Sequence, residues 1–192
     1  MLDILSVENM RNSDSQTIAG GVSGRELMMR AGRAIFESVV WRPPVAIVCG
    51  SGNNAGDGYV LAKLLHYAGI DCTIMLLEER FSEDGKYYYE ICRESGIRIN
   101  VLTMQDIFDV NYSTIVDCIF GTGFKGPIRE NSKAAAVIDS INKSGAYVVS
   151  VDINSGLNGD SGMAAGSCVR SDITVSVGSF KPGHFLSMAK DV

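Results

Sequence analysis

The sequence lacks a basic cluster, a long apolar run and a signal segment. Its net charge is −5 and no basic run occurs, which argues against a nucleic-acid-binding surface. No apolar stretch approaches the ~20 residues that a membrane-spanning helix needs. The first residues do not combine a basic segment with an apolar one, so no signal peptide is expected. These absences favour a soluble protein with neither a nucleic-acid nor a membrane partner.

A regular cysteine spacing is also absent. The five cysteines are odd in number, widely spaced and mostly in apolar surroundings: Cys49, Cys72, Cys92, Cys118 and Cys168. That pattern favours reduced, buried thiols over disulfides or a zinc site. Reduced thiols are typical of the cytoplasm, which is the expected location.

Linkers, repeats and low-complexity segments are missing as well. The length of 192 residues fits one domain, and a composition of 46% hydrophobic and 20% charged residues is ordinary for a globular protein. We therefore expect a single domain over residues 1–192.

The most informative stretch is residues 45–58, where an apolar run meets a cluster of glycines. Val45 to Cys49 has no polar break and is rich in β-branched residues, which predicts a strand buried on both faces. Four glycines then surround Asn53, Asn54 and Asp57, and apolar residues recur at helical spacing as far as Gly69. A glycine-rich loop before a helix brings backbone N–H groups close to a ligand. Glycines alone could serve a plain turn, but a plain turn does not need two amides and a carboxylate.

The rest of the chain alternates between helical and extended patterns. Helices are predicted at 6–20, 23–40, 82–95 and around 134–141, with Ser6 as an N-cap and Ser23 and Glu26 as a capping box. Strands are predicted at 72–77, 97–102 (an edge strand), 114–120, 147–153 and 173–177. This alternation predicts an α/β fold with a doubly wound parallel sheet and right-handed crossovers.

Three predicted strands end in polar loops that contain glycine. Ligands of open α/β sheets bind beyond the carboxyl ends of the strands, so Asp57, Asp117 and Asp152 should gather at one rim. One such Asp is usually a turn or a helix cap, whereas three beside glycines favour a site. Carboxylate, amide and hydroxyl oxygens suit a hard cation or sugar hydroxyls, and the loop amides suit a phosphate. Lys125 could bind a phosphate or transfer a proton. Together these groups predict a nucleotide, with a ribose and phosphates, as the ligand.

A dinucleotide-dependent dehydrogenase is an alternative, because Gly50-x-Gly52-x-x-Ala55 matches the Rossmann fingerprint. That fingerprint requires an acid at the end of the next strand, about 20 residues further on. Glu78 and Glu79 come roughly eight residues too late, and Asp71 precedes the strand. The match is therefore incomplete.

Three motifs together resemble the signatures of the NAD(P)H-hydrate epimerases, the YjeF N-terminal domain family. They are Gly-Ser-Gly-Asn-Asn-Ala-Gly-Asp-Gly (50–58), Asp-Cys-Ile-Phe-Gly-Thr-Gly-Phe (117–124) and Val-Asp-Ile-Asn-Ser-Gly-Leu (151–157). Residues 27–32 and Lys-Pro-Gly at 181–183 are similar to further landmarks of the family. The resemblance covers nearly the whole chain.

This resemblance implies a Rossmann-like three-layer αβα sandwich with a mostly parallel sheet, which interconverts the R and S forms of hydrated NADH or NADPH. It implies a potassium ion on Asn54, Asp117 and Ser155. It implies nucleotide contacts from Asn53, Asn54, Ala55, Gly56, Asp57, Gly121, Thr122, Gly123, Phe124, Lys125, Gly126, Pro127 and Asp152. It also implies cooperation with a separate ADP- or ATP-dependent dehydratase, and it is compatible with a homodimer.

The sequence departs from the family pattern at two positions within the site. Ala55 stands where glycine is frequent, which should be harmless unless the backbone there needs a positive φ. Asn154 replaces a usual proline, which should loosen the loop before Ser155.

The reaction that the resemblance implies needs one positioned acid or base. Carbon 6 of the hydrated ring is a hemiaminal, so departure and return of its hydroxyl, or ring opening, inverts the centre. Asp152 is the first candidate for this group because it ends a strand at the rim, and Lys125 is the second. The alternative from another functional class is a non-catalytic nucleotide-binding or protein-interaction module of the same fold.

Overall fold

The computed structural model describes residues 3–103, 111–164 and 166–192. The strands within these ranges are β1 (Val45–Cys49), β2 (Cys72–Leu76), β3 (Arg98–Val101), β4 (Thr114–Cys118), β5 (Tyr147–Val151) and β6 (Ile173–Val175). The helices are α1 (Val7–Ala19), α2 (Gly24–Ser38), α3 (Asn53–Tyr67), α4 (Glu83–Glu94) and α5 (Lys133–Lys143), followed by short 3-10 helices at Pro182–His184 and Ser187–Asp191. The predicted single domain over 1–192 includes residues outside these ranges and stays a prediction.

The six strands form one sheet in the order β3-β2-β1-β4-β5-β6, and every pair is parallel. The α/β fold with a mostly parallel sheet is confirmed. The chain builds outward from β1 to β3 on one side and from β4 to β6 on the other. The order therefore reverses between β1 and β4, which is where doubly wound sheets bind ligands.

Helices cover both faces of the sheet, as the alternation of side chains along β1 requires. Ile47 and Cys49 pack in the core under α2, α3 and α4, and Ala46 and Val48 pack in the core under α5. Close approach of α2 to α3 depends on Gly32, since a Cβ there would lie 2.3 Å from Val60 Cγ1. The layers are those of a three-layer αβα sandwich. No helix of the described residues is both long and apolar enough for a membrane span.

Serine caps explain where four of the helices begin. The hydroxyl groups of Ser6, Ser23, Ser82 and Ser132 each accept a hydrogen bond from the backbone N–H three residues later. The Glu26 carboxylate, predicted to complete a capping box with Ser23, instead accepts a 2.8 Å hydrogen bond from Arg30. α3 begins without a side-chain cap at Gly52. The first N–H groups of α3 therefore face the rim without a capping side chain.

Candidate functional site

Asp152 follows the last residue of β5 and adopts a backbone conformation that is rare for a residue with a side chain. Its φ is +67°, and the N–H of Ile153 donates a 2.8 Å hydrogen bond back to the carbonyl of Val151. A bond of this kind around a residue with positive φ marks the strained form of the γ-turn. The turn presents the Asp152 carboxylate to the loop after β4, where Oδ2 accepts hydrogen bonds from the N–H of Thr122 at 2.9 Å and from its hydroxyl at 3.0 Å.

Lys181 supplies the positive charge beside this carboxylate. Its ammonium lies 2.5 Å from Asp152 Oδ1, and the residue is only 1% exposed. The same ammonium donates to the carbonyl of Val177 at 2.8 Å and, more weakly, to the hydroxyl of Ser176 at 3.4 Å. A buried ammonium is tolerated only when it is paired and hydrogen-bonded in this way.

Sequence reasoning did not identify Lys181 as a candidate site residue. In the sequence it belongs only to a Lys-Pro-Gly landmark of the family, and the pattern favours Lys125 as the cationic candidate. The structure brings Lys181 to Asp152, whereas Lys125 is exposed on the loop after β4. A lysine just before Pro-Gly, beyond the last strand, was the available signal.

His184 joins the backbones of these two residues. Its Nδ1 accepts a 3.0 Å hydrogen bond from the N–H of Lys181, and its Nε2 lies 2.8 Å from the carbonyl oxygen of Asp152. Since Nδ1 is the acceptor, Nε2 carries the proton and donates it to that carbonyl. Burial lowers the pKa of His184, and the Lys181 ammonium lowers it further, while the hydrogen bond to Asp152 opposes the shift.

The charges of Asp152 and Lys181 also affect the pKa values of two further carboxyl groups, those of Asp57 and Asp14. Burial raises the pKa of Asp57 well above its usual range, and the charges of Asp152 and Asp14 raise it further. Burial also raises the pKa of Asp14 in α1, while Lys181 lowers it. The charges of Asp152, Asp57, Asp14 and Lys181 thus influence one another. Asp14 was not predicted, because α1 carries no motif.

Asn54 is buried beside this group without hydrogen-bond partners. The residue is 8% exposed, and neither atom of its side-chain amide has a partner. It approaches Asp152 across Gly121, where an added Cβ would lie 3.2 Å from Asn54 Cβ and 2.9 Å from Asp152 Oδ2. Because an unpaired buried amide is costly, this arrangement indicates a place for a ligand.

Asp117 at the end of β4 is fully buried and organises the turn at Ser155. Its carboxylate accepts hydrogen bonds from the N–H and the hydroxyl of Ser155, at 2.8 Å and 2.5 Å, and from the hydroxyl of Ser150 at 3.0 Å. Burial raises the pKa of Asp117, and the bonds from Ser155 oppose that shift. The Ser155 hydroxyl also accepts from the N–H of Phe120 at 2.8 Å. Asp117 therefore holds the loops after β4 and β5 together.

The two departures from the family pattern do not disturb the site. Ala55 lies within α3 and is not among the described residues with positive φ, so it is harmless as expected. The expectation that Asn154 loosens its loop is wrong. Its side-chain amide donates to the carbonyl of Val169 at 3.0 Å and accepts from the hydroxyl of Thr174 at 2.7 Å. These bonds fix the loop before Ser155.

The remaining predicted nucleotide contacts line the same rim. Asn53 to Asp57 form the first turns of α3, and Phe124 stacks on Phe120 with ring centroids 4.2 Å apart. Gly126 has a φ of +132°, and with Lys125 and Pro127 it is exposed. Arg11 of α1 donates a 3.3 Å hydrogen bond to the carbonyl of Gly123. The loop therefore borders α1 on one side and Asp152 on the other.

Comparison with known proteins adds relatives that match most of the chain. A family model described as YjeF-related protein N-terminus matches residues 24–183. The NAD(P)H-hydrate epimerase of Limosilactobacillus reuteri is 34% identical over 98% of this chain and 90% of its own length. Proteins named bifunctional NAD(P)H-hydrate repair enzyme Nnr are 31% identical in Coxiella burnetii, over 94% of this chain, and 34% in Archaeoglobus fulgidus, over 100%. The chain spans only 37% and 40% of those two relatives.

A solved structure has the same fold. The crystal structure of the yeast protein YNL200c superimposes with a TM-score of 0.79, covering 95% of this chain and 83% of the yeast chain at 24% identity. At that identity the likeness concerns the arrangement of helices and strands. It agrees with the parallel six-stranded sheet described above.

Proposed function

We propose a catalytic function for this chain, which belongs to the family of YjeF-related protein N-termini. The chain is an NAD(P)H-hydrate epimerase, which interconverts the R and S forms of hydrated NADH and NADPH. The observation that carries the proposal is the Asp152–Lys181 pair, at the rim where a nucleotide would bind. A relative named for this activity, matched over 90% of its own length, supports it.

The nucleotide lies along the carboxyl ends of β5, β4 and β1. Its phosphates meet the loop from Gly121 to Pro127 and the uncapped start of α3, where the helix dipole favours anions. Its hydrated ring reaches Asp152 at the end of β5. Asn53 to Asp57 contact the sugar and phosphate groups between these points.

The chemical step exchanges a hydroxyl between the two faces of the ring. A base takes the proton of the hydroxyl on carbon 6, the bond between carbon 6 and the ring nitrogen breaks to give an open-chain aldehyde, and the base passes the proton to that nitrogen. After the aldehyde rotates, the nitrogen adds to its other face, and the proton returns to the oxygen by way of the same base. No electrons are lost or gained, so one group that accepts and returns a proton is enough.

Asp152 is the group that accepts and returns this proton. Thr122 occupies Oδ2 with two hydrogen bonds, and Lys181 occupies one side of Oδ1, which leaves a lone pair of Oδ1 to accept the proton of the substrate hydroxyl. The three protons of the Lys181 ammonium already point to Asp152, Val177 and Ser176. Lys181 therefore acts as a fixed positive charge. Lys125, the second candidate from the sequence, is left as a contact for phosphates.

The residues present fit a potassium ion. Asn54, packed against Gly121, offers a buried amide oxygen without a partner, and Asp117, Ser155 and the carbonyl of Phe120, which hydrogen-bond to one another, offer further oxygens at the ends of β4 and β5. A mixed set of oxygens with a single carboxylate suits a cation of low charge better than a transition metal. Asn54, Asp117 and Ser155 would hold the ion, which would add positive charge beside the bound phosphates.

The test is to follow the purified R form of hydrated NADH by chromatography, with and without the protein. The proposal predicts that the protein accelerates exchange with the S form. Nucleotide binding without faster exchange would instead support a non-catalytic binding module of the same fold.

Other properties follow from the proposed activity. A separate ADP- or ATP-dependent dehydratase would consume one form of the substrate, so that the epimerase makes the other form available. A cytoplasmic location fits the absence of disulfides among the five cysteines, all of which lie in the described part of the chain. A homodimer is part of the proposal because the family resemblance allows it.

A further inference from the structure

We infer that His184 is a positioning residue, which fixes the backbones of Asp152 and Lys181 in the arrangement that epimerisation requires. This inference rests on the proposed function. Both ring nitrogens are occupied by backbone groups of the protein, so neither is available to the substrate. The two nitrogens bind one backbone group of each member of the pair.

The Asp152 backbone needs such a partner because its conformation is strained. A positive φ in a residue with a side chain persists only where the surrounding structure holds it. The N–H of Asp152 donates to the carbonyl of Val175 at 2.8 Å, and the carbonyl of Asp152 accepts from His184 at 2.8 Å. Both peptide groups of the residue are therefore fixed, and His184 supplies one of the two restraints.

The Lys181 backbone is held by the other side of the same ring. Lys181 precedes the 3-10 helix Pro182–His184, and its N–H donates to His184 Nδ1. The ring also packs against Phe180, with centroids 5.9 Å apart, and against Phe185 at 6.3 Å. His184 thus fixes the distance between two backbones that lie 29 residues apart in the sequence.

This double role requires a neutral ring. A second proton would place an N–H of the ring against the N–H of Lys181 and remove that hydrogen bond. The charged groups that face the ring are the Lys181 ammonium from its own turn and the Asp152 carboxylate from the end of β5. Burial and Lys181 together lower the pKa of His184 below 6.5, which keeps the ring neutral at pH 7 and above.

The direct test is the tautomer of the two imidazole rings by ¹⁵N NMR. The protein has two histidines, so a His66→Gln variant assigns the signals. Between pH 7 and 8 we expect His184 to be neutral with its proton on Nε2 and its Nδ1 bare. A charged ring or a proton on Nδ1 would overturn the inference. This measurement does not depend on activity.

Variants then test whether the two bonds matter for turnover. His184→Leu removes both bonds at similar size, and because small misplacements of reacting groups are costly, kcat should fall about 10- to 100-fold with KM little changed. His184→Asn keeps an acceptor for Lys181, and His184→Gln keeps a donor for Asp152, so each should recover part of the loss. Loss of activity in acid should follow the NMR titration of His184 in the wild type and shift in both amide variants.

Two kinetic outcomes would count against the inference. A folded His184→Leu variant with wild-type kcat would refute it, as would equal losses in all three variants without the expected rescue. If His184→Leu does not fold, the amide variants and the NMR tautomer still decide. A wild type that binds nucleotide but does not accelerate exchange would refute the proposed function instead, whatever the tautomer of His184.

Discussion

Asp57 carries a carboxyl group in surroundings that oppose its charge. Burial and the nearby carboxylates of Asp152 and Asp14 raise its pKa above the value of an unfolded chain. A raised pKa means that the folded protein binds more protons than the unfolded one. The stability that this gives is present in acid and is lost as the pH rises through the folded pKa.

Asp57→Asn should therefore stabilise the fold at pH 8. We expect a gain in the free energy of unfolding at pH 8, where the charged form of Asp57 is disfavoured in the folded state, and little gain at pH 4. Chemical denaturation at both pH values measures it. Asp139→Asn, an exposed carboxylate on α5, is the control and should change little. A destabilised Asp57→Asn variant at pH 8 would show that the charge is favourable where it lies.

A substitution of the single residue Asn54 tests the potassium site. Asp117→Ala is a poor test, because it would leave the Ser155 and Ser150 groups that donate to Asp117 without a hydrogen-bond acceptor. Asn54→Leu removes only an amide without partners. An ion that binds the folded state raises the melting temperature, so KCl should raise Tm of the wild type above that in choline chloride of equal ionic strength. Asn54→Leu should abolish this difference, and a difference that survives would place the ion elsewhere.

At the scale of elements, the loops after β1, β4 and β5 meet at points of contact too close for a side chain. Gly121 is such a point, since a Cβ would lie 2.9 Å from Asp152 Oδ2. Gly123, two residues later, would bring its Cβ no closer than 3.5 Å to Arg11 Nη2. Alanine substitutions at Gly121 and Gly123 therefore compare an added methyl group with and without a close contact on the same loop.

Gly121→Ala should weaken nucleotide binding and turnover together, because the added methyl group pushes the loop away from Asp152 and Asn54. We expect a loss of kcat/KM of roughly 100-fold, typical of a displacement near 1 Å at a reacting group. Gly123→Ala adds the same methyl group without such a close contact, so its loss should be clearly smaller. Titration with the hydrated nucleotide and initial rates of exchange give both quantities. Equal behaviour of the two variants would contradict the contact.

Most elements were predictable because their signals are local. Ser6 and Ser23 mark where α1 and α2 begin, and the run from Val45 to Cys49 is β1 as predicted. Asp57, Asp117 and Asp152 were placed at the rim from strand ends alone. The order of the strands and the partner of Asp152 depend on contacts between distant segments, which no local pattern encodes. Lys181 was missed as that partner for this reason.

At the scale of the whole molecule, the site ties the last part of the described chain to the centre of the sheet. Lys181 reaches back from beyond β6 to Asp152 at the end of β5, and it is buried while its partner is 15% exposed. A pair of this kind is costly to break by removing one member, since the other charge is then left without compensation. The ion pair therefore contributes to the fold and to the chemistry at once.

Lys181→Met should lower the free energy of unfolding by about 3 kcal/mol, near the low end for a broken buried pair because Asp152 keeps some solvent. Lys125→Met is the matched control, because that lysine is exposed on the neighbouring loop, and it should change stability by less than about 0.5 kcal/mol. Denaturant unfolding of the three proteins measures both changes. Similar stabilities for the two variants would contradict the buried pair.

The central claim is that Asp152 moves the proton in epimerisation, and the most direct measurement is R-to-S exchange by the Asp152→Asn variant at saturating hydrated NADH. The amide keeps the size of the side chain but cannot accept and return the proton. The account predicts a fall in kcat of about 10²- to 10⁴-fold, the usual contribution of a positioned acid or base, with nucleotide affinity little changed. Turnover at the wild-type rate would contradict it, and a loss confined to affinity would make Asp152 a binding group only.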